Sequence, residues 1–187
     1  MKSNQNLLDV AKIIASIQPN GTEEKSLPAL GGRRLRAKTY YIAGLSADLS
    51  GNGGEALLPQ TQKAVGITNF PSGGQLQKSY FLVTGVRMLF DTTVTDPKLA
   101  LWANVAPVQW KNGELIISQD GQPTLFEAPV TDVTNFKAST GNDDDFRDVP
   151  GFLLLPNKQI SIKGLPAGVP VASVFKIELR GFEVFAQ

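Results

Sequence analysis

The sequence has no cysteine and no histidine. The first absence removes disulfides, thiolate metal sites and thiol nucleophiles together. The second removes the commonest general base near neutral pH and the commonest transition-metal ligand. A Ser-His-Asp triad cannot be built from this chain, and it is expected not to be an enzyme. Carboxylate pairs, lysine chemistry and magnesium or calcium sites stay open. Charge of one sign is also lacking: 18 Lys and Arg face 17 Asp and Glu, for a net charge of +1. The overall charge therefore names no nucleic-acid or anionic-membrane partner, and only local clustering could carry such a role. No run approaches the roughly 20 apolar residues of a membrane span. Residues 1–18 are interrupted by Asp9 and Lys12, with no small-residue cleavage site behind them, so neither a signal peptide nor a transmembrane segment is expected.

What is present is apolar material for a core, with 42% hydrophobic residues against 19% charged ones in 187 residues. One helical pattern is evident. Over residues 3–18, Leu7, Val10, Ile14 and Ile17 fall on one stripe, widened by Leu8, Ala11 and Ile13. Ser3 suits the N-cap, and Pro19-Asn20-Gly21 ends the pattern. A helix of this length is marginal alone in water, so its apolar face must dock on something. Residues 19–32, with two prolines and three glycines, read as a linker. The division expected is an N-terminal helical arm and linker over 1–32 and a β-sandwich domain over 33–187.

From Arg33 onward the pattern changes to short extended runs. Strands are expected at 35–43, 79–90, 99–105, 114–118, 123–127, 151–155, 158–163 and 171–185, punctuated by Asn112-Gly113, Asp120-Gly121, Pro156-Asn157 and Pro166-Ala167-Gly168. Lys111-Asn112-Gly113-Glu114 is the best hairpin signal. No helix is expected in the body beyond a turn at Glu55 to Thr61. In the last run, Phe175, Ile177 and Leu179 alternate with Lys176, Glu178 and Arg180, and after Gly181 the apolar positions shift to Phe182 and Val184. That shift reads as a bulge re-aiming the strand. Two long loops, 44–78 and 131–150, suggest function or an interface. About eight antiparallel strands with almost no helix imply an all-β sandwich or barrel, and the missing crossover helices exclude a parallel α/β fold.

Four constellations bear on function. Ser72 to Ser79 superficially matches a phosphate-binding loop, but Gln77 stands where glycine is required and a strand follows, so it reads as a connector. The acidic loop 142–148 offers Asp143 and Asp145 as oxygen ligands for Ca2+; the alternative is a solvated charged loop partly neutralised by Arg147. Arg33, Arg34, Arg36 and Lys38 form the one basic cluster, suited to nucleic-acid backbone or lipid-headgroup contact. Its plainer reading is an edge strand whose charges discourage pairing. Among the aromatic residues Trp102 is expected to be buried and Trp110 exposed at a hairpin tip, where it could serve carbohydrate stacking.

The arrangement of an arm (1–32), basic residues at its junction (Arg33, Arg34, Arg36), a β-body of roughly 150 residues and long loops resembles the single jelly-roll coat proteins of viruses, including icosahedral bacteriophages. The resemblance implies a jelly-roll body and a viral structural protein, a capsid component of the virion assembled in the host cytoplasm. It implies a homo-oligomer that also meets other capsid subunits, with its loops and the arm residues Leu7, Val10, Ile14 and Ile17 as the interface. Membrane or genome contact through the arm is a further implication. Many genome-contacting arms are strongly basic, whereas this one is neutral, which favours subunit or membrane contact. The alternative from the residues alone is a β-sandwich module binding carbohydrate or another ligand through Trp110 and the 131–150 loop.

Overall fold

A computed structural model describes residues 33–134, 146–168 and 173–186 of the chain. The expected helical arm and linker, 1–32, and the two aspartates proposed for calcium, Asp143 and Asp145, lie outside them. The regular structure of the described residues is mostly β, with seven strands in two antiparallel sheets and almost no helix. They are β1 (Arg33–Leu45), β2 (Tyr80–Asp91), β3 (Glu114–Gln119), β4 (Phe126–Pro129), β5 (Arg147–Leu154), β6 (Ile160–Leu165) and β7 (Val174–Ala186). One sheet has the order β1-β7-β2-β5 and the other β4-β3-β6.

Alternation with period two decides which side chains meet between the sheets. Ile42, Val86, Met88, Phe90, Phe152, Leu154, Phe175, Ile177 and Leu179 of the four-stranded sheet join Leu115, Ile117, Ile160 and Ile162 of the smaller one in a single buried core. Trp110 sits in that core, fully buried beside Phe90 and Phe175. A one-turn helix, α1 (Ser46–Gly51), follows β1 and contributes Leu49 to the core. It was not foreseen in the sequence, since six residues are too few to show a helical period.

Two expected elements are corrected. Residues 99–105 form no strand: the first of them ends a turn of 3-10 helix at Pro97–Leu99, and only Ala103 bridges, to Phe90. Asn112-Gly113 therefore closes no hairpin; it follows a 3-10 turn at Val108–Trp110. The segment 171–185 yields a single strand, β7. Its pairing with β1 runs unbroken from Arg33↔Ala186 to Leu45↔Val174, so β7 carries no bulge there. The irregularity lies in β2, where Val83 opposes Gly181 and Gly85 opposes Arg180, leaving Thr84 as the extra residue.

Gly181 is required for space and not for backbone freedom. Its φ is not positive, but a Cβ there would stand 1.9 Å from the Leu82 carbonyl oxygen. The shift of apolar positions beyond it is thus a change of face: Phe182 and Val184 point outward, and Glu183 points inward. β1 is an edge strand, and its free side is covered by the loop before β2. The Ala43 amide donates to the Ile67 carbonyl at 2.7 Å, and Asn69 Nδ2 donates to the Thr39 carbonyl at 2.7 Å. Part of the first long loop is thereby spent on edge protection.

Candidate interaction surface

The basic cluster is the first predicted site to follow into three dimensions. Arg33 and Arg34 begin β1, opposite Ala186 and Phe185. Arg36 and Lys38 alternate with the outward residues of β1 and turn to the inner face, where Glu183 awaits them. Lys38 Nζ donates to Glu183 Oε1 at 2.7 Å, Arg36 Nε donates to Oε2 at 3.0 Å, and the Tyr40 hydroxyl also donates to the carboxylate. Tyr40 stacks on Phe70 at 4.8 Å and meets Phe81 edge-on at 4.8 Å, which seals the inner side of the cluster. Burial alone would raise the Glu183 carboxyl; hydrogen bonds from Lys38, Tyr40 and Arg36 outweigh it and hold the group below the usual value. Burial first, and the Glu183 carboxylate second, push the Tyr40 hydroxyl far above its ordinary range. The arrangement is an internally matched ion cluster. Lys38 is committed to it, while the Arg36 side chain, 62% exposed, still reaches solvent.

The two tryptophans exchange their expected places. Trp110 is fully buried, and its indole nitrogen donates to Ser46 Oγ at 3.4 Å, so it offers no platform for a sugar. Its environment misled the sequence reading because the expected hairpin does not form. Trp102 is half-buried at the surface, with Lys176 placed between its ring and that of Tyr41, at 5.8 and 4.8 Å from the centroids.

The surface that sequence reasoning missed is formed by two connections beside β1. The loop from β2 toward β3 brings Pro97–Leu99 against β1 and β7, while the loop before β2 brings residues 64–68 to the edge of β1. They touch where Gly66 packs on Lys98; a Cβ at Gly66 would lie 3.1 Å from the lysine Cγ. Val65, Leu99 and Leu101 project from this junction with 92%, 69% and 84% of their surface exposed. Asp91 fixes the second loop at its base. One carboxylate oxygen accepts the Thr93 hydroxyl and amide at 2.6 and 2.7 Å, and the other accepts the Leu101 amide at 2.6 Å. These bonds, the Thr93 hydroxyl first, hold the Asp91 carboxyl below its ordinary value. The signal available in the sequence was weak: isolated apolar residues within Thr-, Asp- and Pro-rich loops.

Among the described residues no group of three acidic side chains is placed to hold a metal, and no helix is long and apolar enough to cross a membrane. Comparisons with protein-family models, curated proteins and solved structures return no match.

Proposed function

We propose that this chain is a jelly-roll building block of a self-assembling shell, a virion capsid component that oligomerises through its loops. The observation that carries the reading is strand order. With Glu55 bridged to Lys163 and the Ala56 amide donating to the Ile162 carbonyl at 2.8 Å, residues 55–56 occupy an eighth strand position outside β6. The order β1-β7-β2-β5 then faces (55–56)-β6-β3-β4, and successive strands alternate between sheets except at the β3-β4 hairpin. That connectivity supports the reading as a double Greek key of the jelly-roll kind, which occurs in viral capsids as well as in lectins and cupins.

Fold alone names no function. The step to assembly rests on the junction of Val65, Leu99 and Leu101, apolar side chains held in water by ordered loops. A second copy is the occupant that suits this junction in a self-assembling protein. The carbohydrate-module reading loses its main support with Trp110 inside the core.

Sedimentation velocity of the purified full chain tests the proposal. Assemblies larger than a monomer are expected, and Leu101→Glu should shift the distribution to monomer while circular dichroism stays unchanged. A chain that remains strictly monomeric at high concentration overturns the reading.

A further inference from the structure

The outer face of the four-stranded sheet carries a second apolar cluster, separate from the core. Leu82, Val184 and Leu153 form its centre, with Leu35, Tyr80, Leu155 and Phe182 around them. Leu82 lies between Phe182 on one neighbouring strand and Leu153 on the other. Such in-plane neighbours shield the flanks of a side chain on a sheet face but leave its tip toward solvent. Yet Leu82 and Val184 are 0% and 1% exposed. Burial this complete on an outer face requires a cover, and the apolar neighbours of the cluster among the described residues all come from the same four strands or the residue just after β5.

We propose that the cover is the chain's own N-terminal segment, residues 3–18, seated through Leu7, Val10, Ile14 and Ile17. Three observations select it. The cluster lies at the end of the sheet where β1 and β2 begin and β5 and β7 finish. Residues 1–32 lead directly into that end, with Leu35 already part of the cluster. Segments 135–145 and 169–172 instead join β5 and β7 at their opposite ends.

The dimensions also agree. Wound as the helix its periodicity predicts, the stripe from Leu7 to Ile17 rises about 15 Å. Three interstrand spacings, from β1 across to β5, are about 14 Å. Residues 19–32 form a linker able to reach about 45 Å when extended, well beyond the width of the sheet. Finally, burying both apolar surfaces against each other resolves two unfavourable exposures at once: a short helix that is marginal alone and a sheet face that would otherwise be wet. This inference concerns docking within one chain and does not rest on the assembly reading.

The absence of cysteine lets paired spin labels be introduced cleanly into the full chain. Lys12→Cys with Lys158→Cys places labels on the arm and at the turn after β5; Lys12→Cys with Lys111→Cys reports the distance to the opposite end of the sandwich. Pulsed electron resonance should give a narrow distribution for the first pair, centred at a shorter distance than the second. It should be unchanged when the labelled chain is assembled or diluted with excess unlabelled chain. Adding Ile14→Asp should abolish the narrow peak while the far-ultraviolet β signal persists. A broad distribution for the first pair, or a first-pair distance no shorter than the second, overturns the proposal. Loss of the signal on dilution overturns it in favour of a partner copy's arm.

Discussion

The two halves of β7 place their apolar side chains on opposite faces of one sheet. From Val174 to Arg180, Phe175, Ile177 and Leu179 fill the core while Lys176, Glu178 and Arg180 point outward. Beyond Gly181 the ion cluster of Glu183 is inside and the apolar cluster of Phe182 and Val184 is outside. The strand does not rotate between them, because its register with β1 is continuous. Two solutions to one problem result. Each half has a charged face and an apolar face, and in each the carboxylate is matched by cations: Arg87 of β2 and Lys176 of β7 itself for Glu178, Arg36 and Lys38 of β1 for Glu183. What differs is the company each buried carboxylate keeps. Glu183 sits within the sandwich beside aromatic rings, whereas Glu178 lies on an outer face that stays charged. The difference teaches that alternation assigns residues to faces, and only tertiary context says which face is the inside.

The hardest way to break the comparison is at its hinge. Gly181→Val would drive a side chain into the Leu82 carbonyl, and backbone cannot yield as a flexible side chain can. The expected loss is about 3 kcal/mol or more in urea denaturation, since overpacking a closed site forces the strands apart. Gly181→Ala should be nearly as damaging, because the offending atom is the Cβ itself. If both variants keep wild-type stability, the close approach of β2 and β7 is wrong.

Next comes the inner carboxylate. Glu183→Gln removes the charge that Lys38, Arg36 and the Tyr40 hydroxyl all serve. About 2–3 kcal/mol should be lost, below the full cost of breaking a sealed pair because Arg36 and Lys38 can turn toward water. Tyr40→Phe should lose less, about 1–2 kcal/mol, as one donor leaves and the carboxylate retains its cations.

The same cluster gives a pH signature. The Glu183 carboxyl is held below its unfolded value of 4.5, so in acid the unfolded chain binds the proton first. Its contribution is therefore complete above about pH 5 and declines as pH falls through the folded value. Wild-type stability should drop more steeply with acid than that of Glu183→Gln, measured as denaturation midpoints from pH 7 down to pH 3. Parallel profiles would show that Glu183 is not ion-paired in the folded protein.

Much of the fold was legible because a half-buried strand writes its period into the sequence. β1, β2, β3, β6 and β7 were each anticipated within a few residues, as was the two-sheet class. What failed did so for identifiable reasons. Residues 99–105 look extended because Leu99, Leu101 and Trp102 are apolar, yet they belong to a loop whose shape is fixed by Asp91, ten residues from Leu101. Trp110 reads as exposed because Asn112-Gly113 suggests a hairpin tip; nothing local reveals that Phe175, 65 residues away, packs against it. The edge-strand reading of the basic cluster agrees with β1 at the sheet edge, but the carboxylate that binds Arg36 and Lys38, Glu183, is too distant in sequence to be read from it. The site proposed for assembly, Val65 with Leu99 and Leu101, depends on two loops meeting at Gly66 and Lys98, which no linear pattern announces.

The smallest expected effect sharpens the comparison from its outer side. Glu178 accepts from Arg87 at 2.5 Å and pairs with Lys176 at 2.6 Å, so by distance alone it rivals Glu183. Its ion-pair partners, however, are cations that also rest on aromatic rings, whereas Glu183 accepts in addition the buried Tyr40 hydroxyl. Arg87 also has a second contact, its guanidinium 4.3 Å from the centre of the Phe146 ring, which Arg180 approaches at 4.6 Å. Removing the carboxylate therefore leaves no cation stranded: Lys176 keeps its rings, Arg87 keeps Phe146, and water solvates the rest. Glu178→Gln should cost about 1 kcal/mol or less, and the cost should shrink further in high salt. Glu183→Gln, shielded by Tyr40 and Phe81, should keep most of its penalty at the same ionic strength. Measuring both variants in low and high salt separates the two halves of β7 by environment alone, since the strand, the residue type and the substitution are the same. Equal costs with equal salt sensitivity would mean that the Tyr40 hydroxyl and the rings around Glu183 do not set the two carboxylates apart.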